Sequence, residues 1–221
     1  MATRFRRTRR GISAALEAGE VVLLDTLFAD VVRLLAAEHR PSQDPLAVAM
    51  GLADLGTGED VERPTDPALI RLFPDASADD PAMAAEFRRF TERGLRRTKV
   101  EGLQAVRRTL ARGEPDEELR LRLDDDDARA WVVALTDLRL VLADRLGVRT
   151  DADAEALHAR VARSEHSSDD PDDPDAPEPD EWLAMVYDFV SWLQESLTEV
   201  LLATLPARGD GRRPVPPGLD E

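Results

Sequence analysis

Three kinds of residue in this chain have side chains that could act on a ligand: its histidines, its carboxylate runs and a dense arginine cluster. The histidines, His39, His158 and His166, are scattered along the sequence. None has an H-x-x-x-H or carboxylate partner arrangement, so metal ligation and general-base work are not expected of them. Asp124 to Asp127 are four consecutive carboxylates. They lack the spaced ligands and the glycine of a calcium loop, and they stand at a helix start, where capping and the helix dipole account for them. No serine lies in a Gly-x-Ser-x-Gly turn, and Gly56-Thr57-Gly58 lacks the lysine and the preceding strand of a phosphate loop. The chain contains no cysteine, which removes thiolate nucleophiles, thiolate zinc sites and disulfides together. An enzyme is therefore not expected, and the sequence assigns no catalytic residue, cofactor or metal.

The arginine cluster is the segment with a functional reading. Arg88, Arg89, Arg93, Arg96, Arg97 and Lys99 fall within twelve residues. They belong to a stretch, 81–112, with eight Arg and one Lys against three Glu, in a chain whose net charge is −16. On a helix these side chains cover more than one face, so some must be exposed. Three readings stand open: a solvated face with Glu92 pairing Arg96 at i,i+4, a docking surface for an acidic protein segment, or a phosphate contact. The acidic net charge opposes general nucleic-acid binding. Phe87 and Phe90 are expected in the core, on the helix's apolar stripe. Arg4, Arg6, Arg7, Arg9 and Arg10 form a second basic group, read either as an arm that contacts phosphate or as an edge strand protected against aggregation.

The elements that position these groups follow from periodicity and punctuation. Residues 4–16 read as two short strands joined by a turn near Arg10-Gly11. Apolar residues from Val21 to Leu35 recur at three- and four-residue spacing, which predicts a helix from Glu17 to about Ala37. Asp44-Pro45, Asp66-Pro67 and Asp80-Pro81 are three Asp–Pro helix starts, with aspartate as N-cap and proline at N1. The first opens a short helix closed by Gly51, the second a helix of about two turns, and the third a long helix to Leu110. Met83, Phe87, Phe90, Leu103, Val106 and Leu110 are expected as the apolar stripe of that long helix. Gly94 and Gly102, each costing about 1 kcal/mol in a helix interior, suggest a kink or close backbone packing. Leu119, Leu121 and Leu123 alternate with Arg120 and Arg122, a strand expected to pair with the N-terminal strands. A helix then runs to Leu146-Gly147, burying Trp131, Leu135, Leu138 and Leu142. A final amphipathic helix runs from about Glu181 to Thr204, its apolar face wide enough to dock on the bundle or on a second copy in a homodimer.

Fold class and domain organisation follow. The chain is mainly α, a helical bundle of about five helices with a small antiparallel β-sheet. Residues 1–163 and 179–205 are expected to form one helical domain. Residues 164–178, acidic and without a base, are expected to be a flexible linker, because they bury too little apolar surface to offset their ordering entropy. Residues 206–221 are expected to be a disordered tail. No apolar run approaches the ~18 residues of a membrane span. Glu17, Glu20 and Asp25 interrupt what would be the apolar part of an export signal after the basic start. The expected location is cytoplasmic.

Three stretches resemble a known family: PALIRLFPDASADDPAMAAEFRRFTERGLRRTK at 67–99, AWVVALTDLRLVLADRLGV at 130–148 and YDFVSWLQESLTEVLL at 187–202. The chain resembles an actinobacterial domain family of unknown biochemical activity that includes AosR-like oxidative-stress transcriptional regulators. The resemblance implies a cytosolic, non-enzymatic protein. It implies oxidation sensing through a cysteine pair and action with a sigma factor on transcription, and its gene neighbourhood implies a link to the Clp protease system. Without a cysteine, a thiol–disulfide switch cannot operate in this chain. The expectation is a regulator that binds an acidic protein partner, a sigma factor or polymerase, through the basic helix. An accessory or adaptor factor of the Clp system is the alternative.

Overall fold

The computed structural model describes residues 2–37, 63–113, 117–164 and 179–203. Two strands, β1 (Arg6–Thr8) and β2 (Gly11–Leu16), lead into helix α1 (Ala18–Ala37). Helices α2 (Pro67–Leu72) and α3 (Pro81–Leu110) follow, then β3 (Leu119–Leu123), α4 (Asp125–Arg145), α5 (Asp151–Ser164) and α6 (Pro179–Leu202). The expected mainly α bundle with a small antiparallel sheet is what forms, with six helices among the described residues. The helix expected from Asp44 to Gly51, the acidic stretch 165–178 and the tail after Ala203 lie outside the described residues.

The helix starts follow the chemistry of their sequences. Asp66 Oδ1 accepts from the Ala68 amide at 2.8 Å, and Asp80 Oδ1 accepts from Ala82 and Met83, both at 3.0 Å. Asp124 accepts from Asp126 at 3.0 Å and Asp127 at 2.8 Å, so the carboxylate run is spent on starting α4. Each cap satisfies amides that the first turn leaves without intrahelical partners. At the other end of α4, Gly147 adopts φ +68. Gly147 donates to the Asp144 carbonyl and Val148 to that of Ala143, a Schellman closure.

The sheet order is β1-β2-β3, antiparallel throughout. Gly11, at φ +115, is required at the hairpin, since an added Cβ would stand 2.4 Å from the Leu123 carbonyl oxygen. One sheet face carries Ile12, Ala14, Leu16, Leu119, Leu121 and Leu123 into the interior. There they meet α1, α3, α4 and α6 around Trp131. Phe5 and Phe28 pack edge-on against its ring at 6.2 and 6.0 Å, and its Nε1–H donates to Thr109 Oγ1 at 2.9 Å. Helix α6 docks on the bundle through Val190, Leu193 and Leu197, and its Ser196 hydroxyl accepts from the Phe5 amide at 2.7 Å.

Helix α3 runs unbroken through Gly94 and Gly102, and a Cβ at either would meet nothing within 4 Å. Close backbone packing is therefore not the reason for these glycines.

Candidate functional site

Helix α3 buries one continuous line of side chains, spaced three or four residues apart: Ala84, Arg88, Glu92, Arg96, Lys99, Leu103, Val106 and Leu110. Its last turns fill that line with aliphatic residues facing α1 and α4. Its first turns fill it with charge. The expected stripe joining Met83, Phe87 and Phe90 to Leu103 does not exist. Thirteen residues at about 100° each put Phe90 and Leu103 about 220° apart, on different faces of the helix.

The charged half of the line is closed by ion pairs. Arg96 Nη2 meets Glu92 Oε1 at 2.6 Å, and its Nη1 donates to the Leu35 carbonyl near the end of α1. That carbonyl belongs to the last turn of α1, where the helix offers no partner of its own. The same guanidinium lies 4.8 Å over the Phe73 ring. Arg88 pairs with Asp75 and approaches Glu92 Oε2 at 3.8 Å. Lys99 Nζ reaches Asp137 Oδ1 at 2.6 Å, from α3 to α4. Burial pushes the Asp137 carboxyl above its usual range, against the pull of the Lys99 ammonium. Of the six basic residues that the sequence assigns to partner binding, Arg88, Arg96 and Lys99 are thus committed to the interior. They hold the helix in place and offer little to an incoming molecule.

Arg89, Arg93 and Arg97 are the remaining three. Arg89 lies 4.7 Å over the Phe90 ring and 4.0 Å from Glu86, and Arg97 stands 4.0 Å from Glu101. Arg93 has no ion pair among the described residues. The apolar side chains beside them are the unexpected part of the site. Phe90 is 71% exposed, Met83 55%, Phe87 49% and Leu95 47%. The core placement expected for Phe87 and Phe90 is thus corrected: the positions that would bury them are those of the neighbouring line, taken by Arg88 and Glu92. That signal is present in the sequence. At about 100° of rotation per residue counted back from Leu103, Lys99, Arg96, Glu92 and Arg88 come within about 60° of its face, whereas Phe87 and Phe90 lie about 140° or more away.

His158 departs from its sequence reading as well. Its Nδ1 faces the Asp188 carboxylate, a carboxylate partner thirty residues away in sequence, with the Tyr187 ring 6.4 Å off. The pair ties α5 to α6.

Residues 2–201 match the family described as a domain of unknown function, DUF2017. The chain belongs to that family. The oxidative stress regulator AosR of Mycobacterium tuberculosis (strain ATCC 25618 / H37Rv) is 31% identical over 144 residues, which are 61% of this chain and 65% of that regulator. The match to AosR of Mycobacterium bovis has the same extent. The chain therefore spans just under two thirds of the length of these relatives. A putative oxidative stress regulator AosR of Mycobacterium leprae is 30% identical over 198 residues, covering 84% of this chain and 80% of its own. No solved structure matches. The resemblance read from residues 67–99, 130–148 and 187–202 is thus to a family whose named relatives are regulators. Among the described residues, no helix is long and apolar enough to cross a membrane.

Proposed function

We propose that this protein is a non-enzymatic regulator that acts by protein–protein contact. The first half of α3 is its docking face for an acidic, amphipathic segment of a partner protein. The observation that carries the reading is Phe90, 71% exposed beside Arg89 on a helix that buries ion pairs on its other side. Leaving aromatic side chains in water forgoes roughly 1.5–3 kcal/mol each when they could be fully buried. A partner helix that covers Met83, Phe87 and Phe90 would recover part of this, and its carboxylates would meet Arg89, Arg93 and Arg97. Aromatic residues and arginine are the types that dominate interface energetics.

The names of the relatives support a role in regulation. With the resemblance to transcriptional regulators, they make a sigma factor or polymerase the partner to seek first. The cysteine-free sequence leaves contact, not thiol chemistry, as the means.

The test is capture with the full chain as bait, followed by binary titration of what is recovered. Wild type is compared with Phe87→Ser/Phe90→Ser and with Arg89→Glu/Arg93→Glu/Arg97→Glu. Loss of sigma factor or polymerase from both variants, at unchanged melting temperature, is the expected result. Recovery of Clp components in their place would favour the accessory-factor reading. Capture indifferent to both variants would remove α3 as the face.

A further inference from the structure

The outer face of the sheet is a second cationic surface, remote from the first half of α3. Strand β2 turns Ser13 and Ala15 outward, and β3 turns Arg120 and Arg122 outward. The register places Arg6, Ser13 and Arg122 in one row across the three strands and sets Arg120 beside Ala15. Small residues in the central strand leave a trough of about 680 Å³, with Arg9 and Arg10 at its hairpin end. Glu118 is the acid that lines it, and it pairs with Arg120 at 3.1 Å. Among the described residues, the side chains of Arg6, Arg9, Arg10 and Arg122 make no hydrogen bond or ion pair.

Folding does not need this arrangement. Arg120 and Arg122, two residues apart on one face of β3, repel each other. Charge on an edge strand discourages unwanted pairing, but that purpose does not require four uncompensated arginines in a chain with 45 acidic residues to pair them. The spacing suits an extended ligand. Alternate residues of a strand lie roughly 6.5–7 Å apart, so Arg120 and Arg122 match carboxylates at every second position of an extended peptide. Among the described residues β3 is bonded to β2 on one side alone and ends the sheet, the kind of edge to which an extended peptide adds. Among the described residues no aromatic side chain lines the trough, so none there stacks on a base.

We propose that this face binds an acidic protein segment in extended conformation. The segment lies along β3, with alternate carboxylates on Arg120 and Arg122. Arg6, Arg9 and Arg10 add longer-range attraction. This surface is distinct from the α3 face. Twenty residues separate Phe90 from Leu110 at the sheet end of α3, about 30 Å of helix.

The experiment is fluorescence anisotropy on the full chain at low salt. The probes are a labelled peptide of alternating Glu and Thr, a peptide of the same composition with its glutamates in one block, and a short DNA duplex. The alternating peptide should bind, the blocked peptide should bind several-fold more weakly, and Arg120→Glu/Arg122→Glu should weaken the first by at least about tenfold. Arg120→Gln/Arg122→Gln should act in the same direction with a smaller loss, and both variants should keep the wild-type circular dichroism. Arg89→Glu/Arg93→Glu/Arg97→Glu should leave peptide binding unchanged, which separates this surface from the α3 reading. No binding, equal affinity for the blocked peptide, or loss through the α3 variant would overturn the proposal. Tighter binding of the duplex with the same arginine dependence would overturn the choice of occupant. Self-association in sedimentation velocity that the sheet variant abolishes would do so too, making residues 165–178 of a second copy the ligand.

Discussion

The two halves of α3 share one helix, one buried line and one spacing, yet they put opposite chemistry inside. Between Leu103 and Leu110 the line is aliphatic and the outer face is polar. Between Ala84 and Lys99 the line holds Arg88, Glu92, Arg96 and Lys99, while Met83, Phe87, Phe90 and Leu95 face water. The first arrangement is what burial of apolar surface produces by itself. The second is costly for folding, since desolvating ions offsets much of what their pairing contributes. The apolar residues that would have made a cheaper interior are present and turned outward. The contrast separates a half that buries aliphatic side chains from a half that buries ion pairs and turns its apolar side chains to water, the face proposed for docking.

Several substitutions probe that contrast, beginning with the largest effect. Arg96→Met removes the close partner of buried Glu92, leaving it Arg88 at 3.8 Å, and uncaps the end of α1. It should cost about 3–5 kcal/mol in urea unfolding, and adding Glu92→Leu should recover most of the loss. If Arg96→Met alone were neutral, the charged half would not be holding α3. Leu103→Ala tests the aliphatic half and should cost about 3 kcal/mol through the cavity it leaves.

Lys99→Met probes the boundary between the halves. It should cost about 1–3 kcal/mol near neutral pH and change the pH dependence. With the ammonium gone, burial alone acts on Asp137, and its folded-state pKa rises further above the unfolded one. A group shifted that way contributes stability that is present at low pH and is lost as pH rises through the folded pKa. The deficit against wild type should therefore be smaller at pH 5 than at pH 8. A deficit that does not change with pH would mean that Asp137 is not the group responding.

Gly94→Ala should stabilise the protein by about 0.5–1 kcal/mol, because the position has open space and a helical backbone. The smallest stability change belongs to Phe90→Ser, within about 0.5 kcal/mol of wild type, although the same substitution in the core would be severe.

Local chemistry makes most of the fold legible in the amino-acid sequence. Asp66, Asp80 and Asp124 announce their helices because a cap and the amides it satisfies lie within three residues. Ile12 to Leu16 and Leu119 to Leu123 announce a sheet because alternation is a property of the strand itself. The fate of the arginines is less open to reading, because it is decided at long range. Arg96 is fixed by a carbonyl 61 residues away and Lys99 by a carboxylate 38 residues away. His158 meets Asp188 only because α5 packs on α6. Phe87 and Phe90 mislead for a different reason. Two apolar runs on one helix look like a single stripe until the rotation between them is counted.

The claim that the outward half of α3 is a docking face meets its most direct test in a paired measurement on Phe87→Ser/Phe90→Ser. Affinity for the captured partner is titrated, and the urea midpoint is recorded on the same preparation. A docking face there means a loss of affinity of at least about tenfold, 1.4 kcal/mol, with the midpoint unmoved. Wild-type affinity, or an affinity loss accompanied by a collapsed midpoint, would remove the outward half of α3 as a docking face.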